Sequence, residues 1–97
     1  MGEVLPFAVL IEVLFAHAPG PAPGVRLTGD EVCRRANHAV PGRLLPSVLS
    51  SLRRGRTLVP HLETIAAVAA GFGVDVAFFT AEFHHRHQHL TMAERVV

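Results

Sequence analysis

Six of the nine arginines in this 97-residue chain, Arg34, Arg35, Arg43, Arg53, Arg54 and Arg56, fall between residues 32 and 62. That window contains no Asp or Glu, and all eight acids lie outside it. Guanidinium groups clustered without counter-charges are suited to phosphate, which they grip through paired, charge-assisted hydrogen bonds. The net charge is only +1, so the lead is the local charge and not the total. A second cluster is His84, His85, His87 and His89. His85 and His89 are four apart and His84 and His87 three apart, so each pair can share a helical face. A structural zinc site takes four ligands, usually including Cys or acid, and only Glu82 is near. The expected reading is therefore a polar terminal helix, partly solvated, whose histidines charge below about pH 6.5, with no metal and no cofactor.

Other chemistry is thin. The single cysteine, Cys33, excludes an internal disulfide and reads as a small buried residue. No Gly-rich phosphate loop and no local Ser/His/acid signature occurs, so no enzyme is predicted. No apolar run reaches the length of a membrane span. Leu5 to Ala18 is apolar and Ala16-His17-Ala18 looks like a cleavage site, but Glu3 replaces the usual basic start. Glu12 interrupts the apolar run and Pro19 would follow the cut, so export is not expected. A cytoplasmic protein is.

The elements that must position the arginines are helical. Phe7, Leu10, Ile11, Leu14 and Phe15 make one apolar stripe, ended by the Pro/Gly loop of residues 19 to 24. Thr28 and Glu31 have capping-box spacing and predict a second helix that stops before Pro41-Gly42. A third helix carries Pro46 in its first turn and Val48, Leu49 and Leu52 on its apolar face, with Gly55 as a left-handed stop. Pro60 opens a fourth, with Leu62, Ile65, Ala66, Ala69 and Phe72 as its stripe and Gly73 as its stop. Asp75 caps a short fifth helix, Val76 to Phe79. Thr80 starts a sixth, and Thr91 with Glu94 forms another capping box. No strand pattern appears. The fold class is all-α, with five helices and a C-terminal helical extension.

Two helices joined by a Pro-Gly segment and sharing an Arg-rich face describe a helix-turn-helix. The second helix of such a pair enters the major groove, and the turn after it meets phosphates. The run Leu49-Ser50-Ser51-Leu52-Arg53-Arg54-Gly55-Arg56 carries a more specific likeness. It is followed by Pro60, Leu62, Thr64, Ile65, Val68, Ala69, Phe72, Gly73, Val74, Val76 and Phe79. This order and spacing resembles the Cro/lambda-repressor-like (XRE) helix-turn-helix family. It looks still more like the actinobacterial branch that includes a mycobacterial nucleoid-associated regulator of type VII secretion. The likeness runs from Phe7-Ala8 to Phe83. The segment from His38 to Leu45 is longer than the family's usual turn.

The resemblance implies a five-helix lambda-repressor-like DNA-binding domain over residues 1–80 and an extension over 81–97. It places Pro46, Ser47 and Ser51 at base-facing positions, with Ser50 beside them. Serine discriminates weakly among bases, so affinity is expected mainly from phosphate contacts by Thr28, Arg43, Arg53, Arg54 and Arg56. Arg34 and Arg35 are expected to be solvated or paired with Asp30 or Glu31. Phe72, Phe78 and Phe79 read as packing. The implied function is a transcription regulator or nucleoid-associated protein that binds double-stranded DNA as a homodimer. Residues 81–97, with Phe83, Leu90, Met92, Val96 and Val97, are the expected dimerisation element, because their apolar side needs a partner. The first helix, with Leu5, Val9 and Val13, is the alternative. A protein-docking adaptor on the same fold is the first rival function. A metal- or pH-sensing variant using the histidines is the second.

Overall fold

Pro6 sets an extended residue ahead of the first apolar stripe, and α1 (Phe7–His17) begins directly after it. The computed structural model describes residues 6–39, 44–56 and 60–96, and the regular structure among them is helical, with no strand. Leu10, Ile11 and Leu14 of α1 are buried, as the spacing predicts. After the Pro/Gly loop, α2 (Gly29–Ala39) starts with its Glu31 amide donating to Thr28 Oγ1 at 3.2 Å. Only this half of the capping box forms, because the Glu31 carboxylate turns to Arg34 and Arg35 instead.

α3 (Pro46–Arg53) carries proline in its first turn and buries Leu49 and Leu52. Gly55 ends it at φ 72°, a left-handed conformation that costs a residue with a Cβ about 1–2 kcal/mol. α4 (Leu62–Phe72) starts after His61, not at Pro60, and closes on Gly73. Its buried face is the expected one only in part: Ala69 and Phe72 are buried and Ile65 is half-buried. Leu62 is 71 % exposed and Ala66 is exposed, whereas Ala67, Val68, Ala69, Gly71 and Phe72 are buried. The reason is the close approach of α4 to α2. A Cβ on Gly71 would lie 2.6 Å from the Val32 carbonyl oxygen. Gly71 therefore faces the neighbouring helix, with Ala67 buried one turn before it. The large Leu62 sits at the end of α4.

A short 3-10 turn (Val76–Phe79) follows, with Asp75 Oδ1 accepting from the Ala77 amide at 2.8 Å. α5 (Ala81–Arg86) is capped by Thr80, whose Oγ1 accepts from the Phe83 amide at 3.2 Å. α6 (Met92–Val96) has the full reciprocal box: the Thr91 amide donates to Glu94 Oε1 at 3.0 Å, and the Glu94 amide to Thr91 Oγ1 at 3.2 Å.

One core joins these elements. Leu10, Ile11 and Leu14 meet Val32, Cys33 and Ala36 of α2, Leu49 and Leu52 of α3, and Val68 and Phe72 of α4. Phe72 and Phe78 are buried in it. Phe79 is half-buried, its ring stacked on Phe7 with centroids 4.7 Å apart. The C-terminal segment departs from expectation. α6 packs against α1, Val96 is only 8 % exposed within the core cluster, and Phe83 packs on that cluster's edge. Phe83 and Val96 of this segment are thus packed within the chain, Phe83 against Phe78 and α6 against α1. Val97 and Leu5 lie outside the described residues. Among the described residues, no helix is long and apolar enough to cross a membrane.

Candidate nucleic-acid interface

α3 is wedged against both α1 and α2. Leu49 and Leu52 point inward, while Leu45, Pro46 and Ser47 at its start are exposed. Its lead-in is held by one side chain. Asn37 near the end of α2 donates from Nδ2 to the Leu44 carbonyl at 2.9 Å, and its Oδ1 accepts from the Leu44 amide at 2.9 Å. A carboxamide thus completes both backbone groups of a buried residue, which fixes where α3 starts.

Pro46, Ser50, Arg53 and Arg54 line a common cleft of about 400 Å³ together with Glu12, Gly29 and Asp30. Four expected contact residues are therefore brought together beside the first turn of α2. Ser47 and Ser51 lie one residue further round the helix, about 100° away. Ser47 is exposed and Ser51 half-buried. Thr28 is exposed at the head of α2, its hydroxyl already capping the helix. Arg54 and Arg56 are exposed and form no ion pair among the described residues. The Arg56 amide donates to the Ser51 carbonyl at 3.0 Å, which tethers the turn after α3. Arg43 lies outside the described residues.

The arginine window is free of acids along the chain but not in space. Glu12 of α1 reaches Arg53, with Oε1 2.9 Å from Nε, and the Arg53 guanidinium sits 4.1 Å above the centre of the Phe15 ring. Arg53 is thus paired and stacked, not presented bare to solvent. Glu31 binds Arg34 through two oxygens and Arg35 through one. The hydrogen bond from Arg34, assisted by the charges of both arginines, lowers the Glu31 carboxyl to about 2. Arg34 and Arg35 belong to this local network, which leaves Arg54 and Arg56 as the unneutralised cations of α3 and its turn.

Two residues that shape this surface were not singled out for it by sequence reasoning. Glu12 stands out in the sequence only as an interruption in an apolar run, and Asn37 is the chain's one asparagine. An acid inside an apolar stripe was the available signal for the first. For the second it was a carboxamide just ahead of Pro41-Gly42 in the sequence.

Among the described residues no group of three or more His, Cys, Asp or Glu side chains converges. His84, expected on a partly solvated helix, is buried at 7 % exposure and hydrogen-bonded on both ring nitrogens. Its ring points inward because Phe78 and Phe83 pack against it. Cys33 is a buried thiol, pushed up from its ordinary value by burial and then by the charge of Asp30, so it is held in the unreactive protonated form. No protein-family model matches this chain, and no curated protein matches it.

Proposed function

We propose that this chain is a DNA-binding transcription regulator or nucleoid-associated protein with a five-helix lambda-repressor-like core. α3 lies in the major groove, and the protein works in the cytoplasm on the nucleoid. The observation that carries the reading is the exposed start of α3, Pro46 and Ser47, followed by Arg54 and Arg56 on the same short helix and its turn. That helix is rigidly seated by Leu49, Leu52 and the Asn37 clamp. Ser47, Ser50 and Ser51 give modest base preference. Arg54, Arg56 and Arg43 supply the phosphate contacts, and Thr28 sits at the head of α2 where a backbone oxygen would pass. Arg53 positions α3 through Glu12 and Phe15. The functional unit is a homodimer, since one such module spans only a half-site.

Binding of a random-sequence duplex pool at several salt concentrations tests the reading. Three arginines on each of two protomers make about six phosphate contacts, so log affinity against log salt should fall with a slope of about −5. A slope near zero, or no binding at low salt, overturns it.

A protein-docking adaptor is the second reading, and a specific surface favours it. Ala8, Val9, Val13 and Ala16 of α1 line an open cleft of about 440 Å³ beside Glu12, His17 and Arg53. Val9 is 46 % exposed. With Phe83 and Val96 of the C-terminal segment packed within the chain, this face of α1 is the better candidate for self-association or for a protein partner.

A further inference from the structure

The histidine-rich segment holds a buried device that DNA contact does not use. His84 Nε2 lies 2.6 Å from the Phe78 carbonyl oxygen. A carbonyl only accepts, so Nε2 carries the proton. His84 Nδ1 lies 3.2 Å from Arg95 Nη1. A guanidinium only donates, so Nδ1 must be bare. Both partners together permit one form of the ring, the neutral Nε2–H tautomer. Arg95 in turn donates from Nε to the His87 carbonyl at 2.9 Å, and its Nη1 touches Met92 Sδ at 3.5 Å. Arg95 and Val96 are neighbours on α6, and Val96 is the residue that α6 contributes to the core. The clasp between His84 and Arg95 therefore holds the helix that packs on α1.

We infer that α6 is an acid-released strap: protonation of His84 breaks its bond to Arg95 and frees Met92–Val96 from α1. A proton on Nδ1 removes the acceptor and sets an imidazolium against a guanidinium at hydrogen-bonding distance. Among the described residues, no hydrogen bond or ion pair brings a carboxylate to His84 or Arg95 to relieve that repulsion. Glu12 of α1 is paired with Arg53, and Glu82 of α5 with Arg86. Glu94 of α6 accepts from the Thr91 amide, and Asp75 caps the 3-10 turn. Among the described residues the titratable neighbour is His87, backed by the His89 ring with centroids 6.2 Å apart; His87 stacks on Phe83 with centroids 4.4 Å apart and is bonded through Nδ1 to the Phe83 carbonyl. Any charge it takes adds to the repulsion.

The direction in pH follows. Burial, with the charges of Arg95 and His87, lowers His84 from its ordinary value of 6.5 despite the Phe78 bond, which raises it. The unfolded chain then binds the proton more readily than the folded one. The strap's contribution is complete above pH 6.5 and is lost as pH falls through the depressed folded value. Among the described residues His84 is the one buried polar or charged side chain, and the buried Cys33 thiol is shifted upward, away from this range, so the release is local.

A nuclear magnetic resonance titration of the full chain from pH 8 to pH 5 tests this. The backbone shifts of Met92–Val96 should move from helical to coil values with the same midpoint as the His84 ring, while α1 to α4 stay helical. His84→Gln supplies a donor and an acceptor but does not titrate, so its α6 should remain helical across the range. Arg95→Met should show coil values for α6 already at pH 8. Helical shifts for Met92–Val96 throughout the His84 titration overturn the inference. So does an unchanged transition in His84→Gln.

Discussion

Replacing Asn37 with alanine removes both hydrogen bonds that seat the start of α3. The two bonds, each 2.9 Å, serve the amide and the carbonyl of Leu44, a residue with 0 % exposure. A net loss of about 1 kcal/mol per bond, plus the cost of leaving buried backbone groups unpaired, brings the expected destabilisation to about 2–4 kcal/mol. For a domain this size that lowers Tm by roughly 10–25 °C. Urea unfolding followed by circular dichroism measures it, with an unchanged slope marking a change in stability alone. Asn37→Asp is the informative companion. It keeps the acceptor for the Leu44 amide but sets an anionic oxygen against the Leu44 carbonyl, so it should be no more stable than the alanine variant. If Asn37→Ala loses less than about 0.5 kcal/mol, the bonds are not what holds α3, and the seating argument fails.

Three further outcomes follow from named contacts. Gly71→Ala should destabilise by about 1–3 kcal/mol, because the new Cβ would sit 2.6 Å from the Val32 oxygen and 2.8 Å from Val32 Cγ1. Helix propensity alone predicts a gain of about 1 kcal/mol, so the sign measured by thermal unfolding separates the two effects. Arg54→Ala and Arg56→Ala should leave folding intact and weaken binding to all duplex sequences alike, while Ser47→Ala should change sequence preference with a smaller loss of affinity. Anisotropy titrations with several duplexes check this, and undiminished affinity in both arginine variants would place the DNA-binding face elsewhere. Glu12→Gln releases Arg53 from its ion pair. In the same titrations at several salt concentrations it should strengthen DNA binding and steepen the salt slope by up to about 2 for a dimer.

Much of the helical framework can be read from local signals. Proline at Pro46, glycine at Gly55 and Gly73, and the hydroxyl or carboxylate caps at Thr28, Asp75, Thr80 and Thr91 act within a turn of their own position. Such signals need no knowledge of the rest of the chain, and the strong stripe on α1 needs only its own period. The buried face of α4 was legible in this way only in part, at Ala69 and Phe72 and not at Leu62 and Ala66. Hydrophobic periodicity weights large residues, whereas α2 and α4 meet where Gly71 allows close contact, and no local rule says which helix will arrive there. The electrostatics of the arginine window were illegible for the same reason. Glu12 lies 41 positions from Arg53 in sequence, and only the packing of α1 on α3 makes them a pair. His84 reads as one member of a polar cluster until Phe78, Phe83 and Arg95 enclose it. Charge and burial depend on neighbours brought from a distance, and those neighbours are set by the fold rather than by the order of residues.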